Sequence, residues 1–273
     1  MEETFPLAAV FAALACAGAL AGLMAGLLGI GGGVVMVPAL FYAGGVLGVA
    51  DVHRMHLAVG TSLSIIVVTS VVSSIAHWRR GAVDSAILRT YAPGVLVGVL
   101  VGTMVAAWVA GAVLTVVFAA CALVVAGNML RGDGFRTLGP KMPGPVGSGL
   151  LGATTGIVST MAGIGGGAMT VAILTLYSMR IHLAVGTAAV VGILVSVPGT
   201  IGFVAIGWQV AELPPWSLGY VNLAAFIVMA PLTAVMAPLG ARLAHRLPAR
   251  GLARIFALFL GAAALNMLWS LRG

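Results

Sequence analysis

Apolar runs alternate with short polar breaks along the whole chain. Read against glycine, proline and charge punctuation, the runs fall near 7–28, 33–44, 56–77, 87–108 and 111–130. A second series follows near 147–163, 168–179, 182–207, 217–241 and 252–271. Most are close to the ~20 residues that carry a helix across a hydrocarbon core. The runs 33–44 and 168–179 are too short: ~12 residues extend roughly 18 Å as helix, against a core of about 30 Å. Each follows a Gly-Ile-Gly-Gly-Gly run, Gly29 to Gly33 and Gly163 to Gly167. The pattern predicts an all-α polytopic membrane protein in which two stretches break at glycine and turn back.

The two series are copies of one unit. Arg54-Met-His56-Leu-Ala-Val-Gly60-Thr61 returns as Arg180-Ile-His182-Leu-Ala-Val-Gly186-Thr187, and an Asn-Met-Leu near the end of each series places Asn128 opposite Asn266. The longest polar connection, 131–145, contains Gly-Asp-Gly and three prolines. It divides a first repeat, 1–130 (hairpin 7–44, helices 56–77, 87–108 and 111–130), from a second, 146–273. The second repeat holds hairpin 147–179 and helices 182–207, 217–241 and 252–271. Internal duplication with glycine breaks at matching places points to a transporter.

Composition narrows the class. Hydrophobic residues make up 61% of the chain and charged residues 7%, with a mean hydropathy of +1.18. A soluble domain carries about 25% charge, so the solvent here is lipid. A net charge of +7 would suit nucleic acid if it lined one soluble face. The basic residues instead cluster between apolar runs, so no nucleic-acid partner is expected. Cys16 and Cys121 both lie inside apolar runs and read as packing residues. The acidic Met-Glu-Glu start lacks the basic flank of a cleavable signal, so the first run is expected to stay in the membrane.

Charge also sets the threading. If each glycine-broken stretch crosses, the basic residues divide seven against six. If each turns back, eleven share one side and only Arg54 and Arg272 face the other. The positive-inside rule selects the second topology. Each repeat is then a hairpin plus three crossings, an odd unit. The repeats are therefore expected to be inverted, with the 131–145 loop cytoplasmic and both termini outside.

That threading brings the two glycine turns toward each other near the midplane. The first amides after each turn, at Gly31, Gly32, Gly33 and Val34 and at Gly165, Gly166, Gly167 and Ala168, would lack helical partners. With the positive end of the helix dipole they suit an anion. Close helix packing is the competing use of such glycines, and the one expected for Gly22, Gly26, Gly98 and Gly102. Thr61, Ser62 and Thr187 could add hydroxyls to the same pocket or bond their own helices. Arg54 and Arg180 would stand at opposite mouths and draw anions in, or be solvated loop residues. His56 and His182 are candidates for proton coupling or simple helix-end residues. Asn128 and Asn266 suit interhelical hydrogen bonds.

The absences are informative too. All six acidic residues fall in terminal or loop positions, so no carboxylate serves a cation site or proton relay at depth. Gly163 to Ala168 fits G-x-G-x-x-A but lies in an apolar run with no acidic residue about 20 positions on, and no Walker lysine exists. No catalytic residue, cofactor or metal is expected. A negative-inside potential favours anion exit by about 2.3 kcal/mol per charge per 100 mV, so export is the expected direction.

These residues together resemble the TauE/SafE family, the sulfite-exporter or toluene-sulfonate-uptake-permease family. The likeness covers about residues 15 to 270. It rests on Gly26-Leu-Leu-Gly29-Ile-Gly-Gly-Gly33 with Pro38 and Leu40, on Ala58-Val-Gly60-Thr61-Ser62, and on His77-Trp-Arg-Arg-Gly81-Ala-Val-Asp84. The second copy contributes Gly163 to Gly167, Ala184-Val-Gly186-Thr187 and Gly240-Ala-Arg242-Leu. It departs at Thr170-Val-Ala, where the first copy has Pro38, and at Phe203, where the first has His77. The resemblance implies a bacterial inner (plasma) membrane transporter of sulfite, thiosulfate or an organosulfonate such as sulfoacetate. A carboxylate permease of the same fold, an intramembrane enzyme and a non-transporting scaffold are the alternatives. A homodimer is left open for its assembly.

Overall fold

A computed structural model describes residues 4–28, 32–131, 138–243 and 249–272. Gly31, expected at the first anion site, and 132–137 of the connecting loop lie outside the described residues. The first half contains α1 (Thr4–Leu28), α2 (Gly33–Val46), α3 (Asp51–Arg79), α4 (Ser85–Trp108) and α5 (Gly111–Arg131). The second contains α6 (Pro145–Ala162), α7 (Gly167–Leu176), α8 (Ile181–Gly207), α9 (Leu223–Leu243) and α10 (Ala249–Trp269), closed by a 3₁₀ turn. Among the described residues, six helices are long and apolar enough to cross a membrane. The chain is an all-α polytopic membrane protein.

Local chemistry explains the boundaries. Asp84 caps α4, its carboxylate accepting from Ala86 N and Ile87 N at 3.0 and 3.1 Å. Pro145 opens α6, and Gly163, with φ +69°, closes it in the left-handed conformation. Two boundaries differ from the sequence reading. α3 begins at Asp51 rather than 56, because an acidic first turn complements the helix dipole and lets charged residues extend the helix beyond the apolar run. The run 217–241 does not start as helix. Ser217–Leu218 and Val221–Asn222 form a two-stranded hairpin, turned at Gly219 with φ +54°, before α9 begins.

The halves interlock. α1 lies along α9 in the same direction, Gly18 against Met229 and Gly22 against Thr233. α4 lies along α6 in the same direction, Gly94, Gly98 and Gly102 against Gly149, Ala153 and Ile157. α3 and α8 run oppositely, Gly60 near Phe203, Leu63 near Gly199 and Ser70 near Gly192. A Cβ at Gly98 would strike the Ala153 carbonyl, so the small-residue stripe is what lets α4 and α6 touch backbone to backbone. Gly, Ser and Thr make α6 too polar to rank among the six spans, while fitting it to that contact.

Outward-facing Leu100, Met104, Ile201, Ile227 and Leu258 leave apolar side chains for lipid. All five tryptophans are exposed, at Trp78, Trp108, Trp208, Trp216 and Trp269, each at or just past the end of a helix or in the connection before α9. That is where an amphipathic ring sits at a membrane–water interface. Cys16 and Cys121 are both free.

Candidate functional site

Gly33, at the start of α2, meets the second glycine turn. A Cβ on Gly33 would lie 2.6 Å from Gly163 O and 2.9 Å from the Ile66 side chain, and one on Gly165 would press on the same Ile66. Ile66 stands near the centre of α3. Ser62 fastens the junction, its Oγ donating to Gly163 O at 2.8 Å. Only glycine fits Gly165 and Gly166, whose φ values are +66° and +75°.

Past the second turn, and at the start of α2, the first helical amides have no backbone acceptor among the described residues. Val35 N and Met36 N close on Gly32 O, and in α7 Thr170 N is the first to close, on Gly166 O at 2.9 Å. At 14 and 10 residues, α2 and α7 extend roughly 21 and 15 Å, short of a hydrocarbon core of about 30 Å. A cavity of about 490 Å³ lies between α5 and α7 and reaches Ile164, Ala168 and Met169 at the second turn. Its lining is mostly apolar, with Asn128 and Thr175 as polar exceptions. Gly33, Val34, Gly165, Gly166 and Ala168 are all buried, and Gly33 and Gly165 both pack on Ile66.

Thr61 and Thr187 have a partner that sequence reasoning missed. Asn222 N donates to Thr61 Oγ1 at 2.9 Å, and Asp84 N donates to Thr187 Oγ1 at 3.0 Å. Asp84 caps α4, and Asn222 caps α9 by accepting from Ala225 N at 2.9 Å. Each threonine therefore anchors the start of a helix from the opposite half. The preceding glycine makes room: a Cβ on Gly60 would strike Tyr220 O, and one on Gly186 would strike Ala82 O. The repeated Ala-Val-Gly-Thr is a socket for the other half's capping turn. The signal was present as a capping residue heading each partner helix, but nothing local links it to a motif in the other half. The two threonines lie toward opposite faces and are not brought together.

The charged and titratable candidates also sit at the faces. Arg54 is packed rather than free, ion-paired with Asp51, donating to Val49 O at 3.3 Å and lying 5.5 Å over the Phe41 ring. Arg180 is exposed at the head of α8. His56 is buried, with Nε2 3.0 Å from Ala106 O and its ring stacked 5.0 Å from Tyr220. His182 is exposed on the opposite face. Burial raises the Tyr220 phenol above its ordinary range, so its hydroxyl stays protonated beside His53 Nδ1, 2.9 Å away. Asn266 accepts from the Tyr42 hydroxyl at 2.9 Å, an α10–α2 tie, whereas Asn128 borders the cavity. Among the described residues, no group of three or more His, Cys, Asp or Glu could hold a metal ion.

The profile of the family described as "Sulfite exporter TauE/SafE" matches residues 14–267. A "Probable membrane transporter protein" of Haemophilus influenzae is 34% identical over 241 residues, spanning 88% of this chain and 91% of that one. A protein of the same description from Methanocaldococcus jannaschii is 25% identical over 251 residues, 89% of each chain. No solved structure matches the chain.

Proposed function

Because the chain belongs to the sulfite exporter TauE/SafE family, and so is a membrane transporter, we propose that it moves a small sulfur-containing anion across the bacterial inner membrane. Sulfite, thiosulfate and organosulfonates such as sulfoacetate form the substrate class, and export is the direction. The observation that carries this reading is the meeting of Gly33 with the Gly163 carbonyl beside the centre of α3. Two helix starts converge there, their first amides without a backbone acceptor among the described residues, and a cavity opens on one of them. Amides at Gly32 to Val34 and Gly165 to Ala168 hold the anion's oxygens, each aided by a helix dipole. An oxyanion needs several donors in a small space, and a glycine turn supplies them without a fixed positive charge that would trap the solute.

The helix directions support the inverted arrangement. α1 with α9 and α4 with α6 are equivalent pairs under exchange of the halves, and α3 pairs with its own counterpart α8 in the opposite direction. In this reading both termini lie outside, and the face carrying Arg79, Arg80, Lys141 and Arg180 is cytoplasmic. Access alternates as one half rocks on the other about the central junction.

The test is binding. Sulfite, thiosulfate and methanesulfonate are each added to the detergent-solubilised protein in a sodium buffer, and the thermal midpoint is followed. A ligand of the native state raises it in proportion to the logarithm of its concentration. At least one of these anions should do so while chloride at equal ionic strength does not. A midpoint indifferent to all three would overturn the reading.

A further inference from the structure

Two buried hydroxyls beside the second glycine turn have no hydrogen-bond partner. Thr160 on α6 and Ser196 on α8 are both 0% exposed, and both Oγ atoms are unpaired. Ser74, Thr103 and Thr170 are unpaired too, but only Thr160 and Ser196 flank the α6–α7 turn together; neighbouring Ser70 and Thr200 bond back to Ile66 O and Ser196 O. An unpaired buried hydroxyl is unfavourable, so a pair of them at one place calls for an occupant.

Their surroundings identify its chemistry. Ser196 lies on the α8 face between Gly192 and Gly199, positions that share one side of a helix. A Cβ on Gly192 would be 3.5 Å from Gly165 O, and one on Gly199 would be 3.7 Å from the Thr160 methyl. Ser196 thus sits between a turn carbonyl and Thr160. α6 ends at Ala162, and no backbone amide among the described residues donates to Met161 O, Ala162 O or Gly165 O. This is the negative end of a helix dipole. Neutral hydroxyl and carbonyl oxygens in a compact set suit a hard cation. All the acidic residues lie in terminal or connecting segments or at helix ends, so a divalent ion would have too little counter-charge there.

We infer that the α6–α7 turn binds a sodium ion through Thr160, Ser196 and the turn carbonyls, next to the anion held at the start of α7. The inference rests on the proposed anion site. A cation in a neutral cage within the apolar layer is costly alone, as is an anion beside it, and each lowers the cost of the other. Binding is therefore mutually reinforcing, and linkage makes the factor equal in both directions. The site is single. The first half has Gly26 in place of Thr160, and Ser70, the counterpart of Ser196, is satisfied by its own helix.

Methanesulfonate, sulfite and thiosulfate are titrated against the thermal midpoint in sodium chloride and in N-methylglucamine chloride of equal ionic strength. The effective anion should bind at least ~10-fold more tightly in sodium, and sodium should gain the same factor from the anion. Ser196→Ala and Thr160→Val should remove the sodium dependence, and Thr160→Ser should keep it. Equal anion binding in both salts would overturn the sodium site and leave the anion site standing. Sodium dependence that survives Ser196→Ala and Thr160→Val would overturn the assignment of these residues. Indifference to every anion in both salts would remove the anion site, and this inference with it.

Discussion

Gly60 and Gly186 are small because a carbonyl of the other half occupies the place a side chain would take. Gly60→Ala drives a Cβ into Tyr220 O, and Gly186→Ala drives one into Ala82 O. Backbone cannot step aside as a flexible side chain does, so each should cost about 1–3 kcal/mol or more. Scanning calorimetry in detergent should show a midpoint lowered by several degrees. Gly127→Ala, with open space around its Cα, should leave the midpoint unchanged or raise it slightly. Thr61→Val keeps the shape and removes the acceptor for Asn222 N. Loss of such a part-buried hydrogen bond costs about 0.5–1.5 kcal/mol. Thr187→Val should behave alike, and the double variant should show the sum, because the two sockets share no partner. A double variant no less stable than either single one would show that the sockets are not independent.

Among the helices, what could be read from the chain alone was whatever a one-dimensional pattern controls. Length and apolarity give the long apolar helices, α1 among them, and the glycine runs give the shortness of α2 and α7. The charge of Asp51 to Arg54 points to a solvated loop, yet these residues form the first turn of α3. Ser217 to Asn222 continues the apolar pattern of the α9 run but forms a two-stranded hairpin, its turn at Gly219. The partners of Thr61 and Thr187 were hidden for a different reason: those contacts span the halves and leave no local trace. The cavity between α5 and α7 likewise depends on how two helices sit, not on either sequence. Ala172 lines it from α7. Ala172→Phe should fill the space, leave the thermal midpoint within a degree or two and raise the Kd for the bound anion at least ~10-fold. Unchanged affinity in that variant would place the anion elsewhere.

For the molecule as a whole, the interlocked pairs α1–α9 and α4–α6 mean that neither half can be built without the other. The proposed topology puts three crossings between Gly48 and Lys141. Single cysteines placed there, with Cys16 and Cys121 replaced by alanine, should be labelled by a membrane-impermeant maleimide from opposite sides of intact cells and inverted vesicles. Labelling of both from one side would rule out the hairpin-plus-three-crossings unit. Transport is tested most directly by flux. Purified protein in liposomes with sodium on both sides should move radiolabelled sulfite, thiosulfate or methanesulfonate saturably, and Ala172→Phe should abolish that movement without unfolding the protein. Flux no greater than in protein-free liposomes for all three anions, or flux untouched by Ala172→Phe, would contradict an anion path through the glycine junction.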